Sequence, residues 1–334
     1  SGISLEMSLY TQLASYRTIC LAGMCKNAGK TTALRTILRE DDGRYGPLGL
    51  TSIGRDGERE DIVTGTKKPQ LYIREGTLVA TAQGLLPFCD ISQEILMETG
   101  FYTPMGQVLL LRALSDGYVE IGGPSMASQL AVLNEMFFAH GAGKVLLDGA
   151  LFRKSLCAPE VSEGILLSSG ASYSPDMLRT VQDTAFAARM LMLPLTKLFN
   201  GKPVGEERQL YLDESGEVRP FSAWEEAFAS SGVLLLGAVT DKRVEKLLTR
   251  RSKSPMELCC EDGTRLFLSP LMEQKLLRTG VHLAVKKKNT LVAVTANPFS
   301  DRGTPYDRES FFAHMTRALA PVPVVDAEKE YNAI

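Results

Sequence analysis

The sequence predicts an α/β protein: a mostly parallel sheet flanked by helices, with a less regular insertion in the second half. Three observations carry this expectation. Short apolar runs alternate with segments whose apolar residues recur at helical spacing, the strand-helix-strand rhythm that builds parallel sheets. A glycine-containing turn joins the apolar run at 18–24 directly to a helical segment. The length of 334 residues, with 44% hydrophobic residues, suffices for one large α/β core or two unequal ones.

In chain order, residues 18–24 read as a buried strand, 31–40 as a helix and 47–53 as a second strand. Residues 54–68 are punctuated by glycine and rich in charges of both signs, which predicts a loop. Short strands at 71–74 and 77–80 flank Glu75-Gly76, a dipeptide suited to turning a small hairpin. A helix at 91–99 and strands at 106–113 and 118–121 follow. The segment 124–140 is helical, with Met126, Leu130, Leu133, Met136 and Phe137 on one stripe. Strands at 144–148 and 164–167 precede a long helix at 175–193. Residues 199–230 are less regular, with Asp213-Glu214-Ser215-Gly216 as a turn, and strands return at 233–236, 282–285, 291–295 and 322–325. The expected organisation is a core over 1–198, an insertion or linker over 199–230, and a C-terminal part over 231–334 that completes the same sheet or forms a small second domain.

Composition narrows the functional classes. Lys plus Arg (37) nearly balances Asp plus Glu (39), and a formal charge of −2 gives no field that favours nucleic acid or an acidic membrane. The six cysteines form neither a disulfide framework nor zinc-ligand spacing, which fits a reducing compartment. Residues 1–17 lack the continuous apolar run of a secretory signal, and no stretch approaches the roughly 18 apolar residues of a spanning helix. A cytoplasmic protein is expected.

The sharpest chemical signal is Gly23-Met24-Cys25-Lys26-Asn27-Ala28-Gly29-Lys30-Thr31-Thr32, set between strand and helix. Glycine at 29 lets the main chain fold tightly around an anion, and the helix N-terminus points its amides at phosphates. Lys30 is placed to reach β- and γ-phosphates, and the Thr31 hydroxyl to hold Mg²⁺. The segment resembles the Walker A motif of P-loop NTPases, which implies the P-loop fold. It departs from that motif at Met24, where glycine is required, with Gly23 one place earlier. Lys26 and Asn27 resemble the lysine-bearing loop of the SIMIBI class, whose lysine reaches a nucleotide across a homodimer, although the signature lysine would fall at position 25.

A Walker A loop needs an acid on a neighbouring strand, and Val145-Leu146-Leu147-Asp148 resembles Walker B, with Asp148 orienting the magnesium water shell. Arg153 and Lys154 follow, either as γ-phosphate contacts or as a solvated pair. At 49–61 an apolar strand opens into charge, so Asp56 contacts a magnesium water or phosphate acceptor, or else sits in a loop with no catalytic duty. Arg55 counters charge, and Thr64-Gly65-Thr66 belongs to a switch. Asp116 and the run Glu120 to Ser125 form a second concentration of acid and glycine, where Ser125 reads as a helix cap. Asn297-Pro298 resembles the base-side loop of several P-loop proteins, and no Asn/Thr-Lys-x-Asp guanine reader is present, which favours ATP. His140, His282 and His314 share no metal spacing, and His282 reads as a core residue.

Over residues 24–32, 49–61 and 113–124 the chain resembles the P-loop subunit that accompanies adenosylcobalamin-dependent amino-acid aminomutases, the lysine 5,6-aminomutase reactivase type. That resemblance implies ATP-driven exchange of damaged cobalamin on a partner mutase. The leading expectation is an energy-coupling ATPase acting on a partner protein. A small-molecule kinase using Asp56 or Asp116, and a nucleotide-gated binding module without significant hydrolysis, are the alternatives.

Overall fold

A computed structural model describes residues 8–53, 70–151, 157–205, 207–249, 255–300 and 303–326. The chain divides into two compact units. The first comprises Ser1–Phe152, Glu160–Ala185 and Leu291–Ile334, and the second Arg153–Pro159 with Phe186–Thr290.

The first unit is built on a nine-stranded sheet. Its order is Val324–Val325, Leu291–Asn297, Gly164–Gly170, Thr18–Gly23, Lys144–Leu151, Leu48–Ser52, Leu78–Ala82, Gly106–Ala113 and Gln93–Thr103. The first seven run parallel, Gly106–Ala113 runs antiparallel to both of its neighbours, and Gln93–Thr103 returns to the direction of the seven. Strands buried on both faces need apolar residues at every position. Ile19, Cys20, Leu21 and Ala22 are fully buried, as is the whole of Gly164–Gly170. The helices Lys30–Glu40, Ala127–Ala139 and Arg308–Leu319 flank the sheet and bury Ile37, Phe137 and Phe311 respectively. Phe137 lies so close to Gly49 that a methyl group on Gly49 would stand 2.7 Å from its Cδ1.

The second unit carries a five-stranded sheet, ordered Val218–Pro220, Gln209–Leu212, Gly232–Leu235, Met256–Cys260 and Val281–Val285. The last three strands are parallel, and the first two form an antiparallel hairpin. Its turn is the expected one at 213–216, held by Asp213 Oδ1, which accepts from the amides of Ser215 (3.0 Å) and Glu217 (2.9 Å). The Ser215 hydroxyl and the Arg219 guanidinium hold the Asp213 carboxyl well below the usual range. Trp224, Val233, Leu258 and Leu276 belong to this unit's own core.

Several expectations are corrected. Residues 91–99 are not helical: Gln93–Thr103 is the edge strand of the large sheet, and two register irregularities blur the alternation that marks a strand. Leu71–Ile73 and Leu78–Ala82 do not form a hairpin, because the former pairs with Gly117–Val119 and the latter joins the large sheet. Met256–Cys260 is a strand that the sequence reading passed over. The domain limits also differ from 198 and 230. Residues 199–230 share a sheet with residues up to 285, whereas Leu291–Asn297 pairs with Gly164–Gly170 in the other unit's sheet. Among the described residues no helix is long and apolar enough to cross a membrane.

Candidate functional site

The loop 24–29 leaves the C-terminal end of Thr18–Gly23 and feeds the helix Lys30–Glu40. The Met24 amide donates to the carbonyl of Ser168 at 2.9 Å, tying the start of the loop to the adjacent strand. Asn27 and Gly29 take positive φ values of 61° and 103°. Gly29 is the N-cap and makes no side-chain bond to the first-turn amides, which leaves the helix N-terminus a place where an anion can be held. Ala28 is buried, while Lys26 and Asn27 are exposed at the tip of the loop.

The Lys30 side chain folds back along the loop. A methyl group on Gly23 would lie 3.1 Å from Lys30 Nζ and 3.3 Å from its Cδ. Glycine at 23 therefore leaves room for the lysine stem, and the ammonium rests beside the start of the loop. Met24 is outside the left-handed region, where Asn27 is the sole non-glycine among the described residues. A side chain at 24 thus costs no backbone strain. Thr31 and Thr32 stand half-buried in the first turn of the helix.

Asp148 lies on the adjacent parallel strand, in register with Leu21 on one side and Ser52 on the other. Immediately after it the register with the Thr18–Gly23 strand slips by one residue, accommodated by Gly149 at φ 108°. The Asp148 carbonyl accepts from the Ile53 amide at 2.8 Å, and its half-buried side chain sits at the same sheet edge as the loop.

On the other flank Asn297 ends its strand, opposite Gly170. A methyl group on Gly29 would stand 3.2 Å from Asn297 Cβ and 3.4 Å from its Nδ2. Asn297 Oδ1 accepts from the Phe299 amide at 3.0 Å. Hydroxyl pairs brace this edge: Ser168 with Thr295 and Ser169 with Thr184, each at 2.7 Å. The Tyr306 hydroxyl bonds to Thr180 Oγ1 at 2.8 Å and donates to the Ser174 carbonyl. Burial raises the Tyr306 pKa, and the proximity of Asp176 and Cys25 adds to the rise.

The structure thus brings residues 26–32, Asp148 and Asn297 to one edge of one sheet. Asp116 is not there. It follows a strand antiparallel to Leu78–Ala82, which returns the chain to the opposite edge, and its Oδ1 accepts from the Glu75 amide at 2.8 Å. The run 121–123 does reach the loop's edge: the Gly123 amide donates to Ser52 O at 2.9 Å, where a side chain would overlap Thr51. Ser125 is not the helix cap, since Met126 occupies that place without a side-chain bond. His282 is exposed on its strand and does not pack in a core. Asp56, Arg55, Thr64 to Thr66, Arg153 and Lys154 lie outside the described residues. Among the described residues no group of three His, Cys, Asp or Glu side chains is gathered to hold a metal unaided.

The sequence reading missed Tyr306 and the contact between Asn297 and Gly29. Both are contacts between residues more than 100 positions apart in the chain, and no local pattern announces them. In comparisons with known proteins, no family model, no curated protein and no solved structure matches this chain.

Proposed function

We propose that this chain is a P-loop nucleotide-binding protein that takes Mg·ATP at residues 26–32 and couples its hydrolysis to a conformational action on a partner protein. The observation that carries the reading is Gly29 at φ 103° opening an uncapped helix while the Lys30 ammonium folds back beside Gly23. Backbone amides at a helix N-terminus with one ammonium beside them, at the end of a parallel strand, suit a chain of phosphates.

In this reading the amides of residues 26–32 cradle the phosphates and Lys30 neutralises charge on the β- and γ-oxygens. The Thr31 hydroxyl would hold Mg²⁺ and Asp148 would orient its water shell, a division of roles suited to a carboxylate one strand away from the loop, and the ion would supply further neutralisation of the phosphate charge. Asp56 is assigned to the γ-phosphate side from sequence alone. ATP is favoured over GTP by the absence of a guanine-reading motif. Six free thiols suit a reducing, cytoplasmic setting.

For the partner, the support is the resemblance of residues 24–32, 49–61 and 113–124 to the reactivase subunit of adenosylcobalamin-dependent aminomutases. Cofactor exchange on such a mutase is the proposed action. The kinase reading loses one of its two acceptor-activating candidates, since Asp116 lies at the far sheet edge. Calorimetry with Mg·ATP tests the site: binding by the wild type and none by Lys30→Ala is the expected result. No heat with the wild type at millimolar nucleotide removes the proposal. Stimulation of ATP turnover by the mutase tests the partner.

A further inference from the structure

We infer that Asn297 is a positioning residue for the phosphates, acting by holding Gly29 in its left-handed conformation, and does not read the base. The inference rests on the triphosphate reading of the loop and names how that loop is kept in shape.

The Asn297 main chain is fixed by the neighbouring strand and its side chain is oriented by one hydrogen bond. Its main chain is locked to the neighbouring strand, where Ala171 N–H donates to Asn297 O at 3.0 Å and any side chain on Gly170 would overlap that carbonyl. Its Oδ1 is engaged by the Phe299 amide at 3.0 Å. With the oxygen so anchored, Cβ, Cγ and Nδ2 are turned onto Gly29, lying 3.2, 3.6 and 3.4 Å from where a methyl group on Gly29 would be.

This arrangement has a clear physical purpose. Glycine at φ 103° is free to leave that conformation, and in doing so would swing the first-turn amides away from a common point. A flat amide anchored by its oxygen and lying on the side of Gly29 where a β-carbon would stand removes the alternatives that need this space. The cradle is then formed before the ligand arrives, and binding does not spend free energy on ordering it. A base-reading asparagine needs its amide free to meet two ring positions. Here the oxygen already accepts a main-chain hydrogen bond and the rest of the group faces glycine.

The discriminating probe is inorganic tripolyphosphate, which carries the phosphates and no base. Calorimetry compares Mg·ATP and Mg·tripolyphosphate on wild type, Asn297→Ala and Asn297→Ser. The serine keeps an acceptor for the Phe299 amide and removes the amide group from Gly29. Both variants are expected to weaken both ligands by a similar factor, about tenfold if a tenth of the loops remain competent. Weaker ATP with unchanged tripolyphosphate overturns the inference in favour of base reading. Unchanged affinity for both overturns it outright. A wild type that binds neither ligand overturns the triphosphate reading and this inference with it. Should the alanine variant fail to fold, the serine variant gives the same comparison.

Discussion

The Lys144 ammonium sits 4.2 Å from the centre of the Tyr45 ring while donating to the carbonyls of Leu13 (2.8 Å), Ala14 (3.1 Å) and Tyr16 (2.7 Å). A lysine only 3% exposed thus gathers the carbonyls that end the N-terminal helical turn and fastens that segment to the sheet. Lys144→Met keeps the apolar stem and strips three acceptors of their donor. A loss of about 2–4 kcal/mol is expected, measured by urea unfolding. A loss below about 0.5 kcal/mol would show that water replaces the ammonium.

The same residue sets a pH dependence. Burial lowers the Lys144 pKa, outweighing the attraction of Glu163. From that lowered value up to the unfolded value of about 10.4, the unfolded chain holds more protons than the folded one, so this residue's contribution to stability rises with pH. Over the alkaline range the urea midpoint of the wild type should gain on that of Lys144→Met. A gap that narrows instead contradicts the assigned direction.

Gly23 is predicted to be needed for ligand affinity and not for folding. Gly23→Ala places a methyl group 3.1 Å from both Lys30 Nζ and the Cys25 carbonyl oxygen, so the lysine end and the loop backbone each have to give by a few tenths of an ångström. ATP affinity should fall by about tenfold, equivalent to about 1.4 kcal/mol. The melting temperature should stay near that of the wild type. Full affinity in this variant would mean that the lysine does not need its observed path.

Thiol chemistry offers a footprint of the loop. Cys25 and Cys89 are half-buried and the other four cysteines buried. Burial pushes the Cys259 thiol up to about 12, the Cys260 thiol well above its usual value, and the Cys89 thiol upward as well. At pH 8 iodoacetamide should therefore modify Cys25 first, and saturating Mg·ATP should slow that site alone, as read by peptide mass mapping. Equal rates with and without nucleotide would place the ligand elsewhere.

Phe137 and Gly49 should behave as a coupled pair. Gly49→Ala forces a methyl group to 2.7 Å from Phe137 Cδ1 and should cost about 1–3 kcal/mol. Phe137→Leu in the same chain opens space and should recover part of that loss, a non-additivity that a double-mutant cycle in urea reads directly.

The central strands were legible in the sequence because burial on both faces writes itself as unbroken apolar runs: 18–24 was read for Thr18–Gly23, and 164–167 for Gly164–Gly170. The loop and Asp148 stand out for a related reason, since glycine, lysine and an acid interrupt such runs, but the strand does not stop at Asp148 as expected and continues past a register slip to Leu151. The edge strand Gln93–Thr103 was not legible. It exposes Ile95 and Tyr102 and carries two irregularities, so its residues fit helical spacing as well as alternation. Nor did anything local announce that Leu71–Ile73 pairs with Gly117–Val119, more than 40 residues away, and not with the strand that follows it. Strand partnership is decided by the assembled sheet, and so are the neighbours of a loop at its edge. Asn297 could be named from sequence, but its contact with Gly29 could not.

Met24 shows which letters of such a turn are chemically interchangeable. Asparagine tolerates the left-handed torsion at position 27, so the residues of this turn obliged to lack a β-carbon are Gly29, at φ 103°, and Gly23, whose surroundings are crowded. Torsion angle and steric clearance are the properties by which kindred turns are recognised.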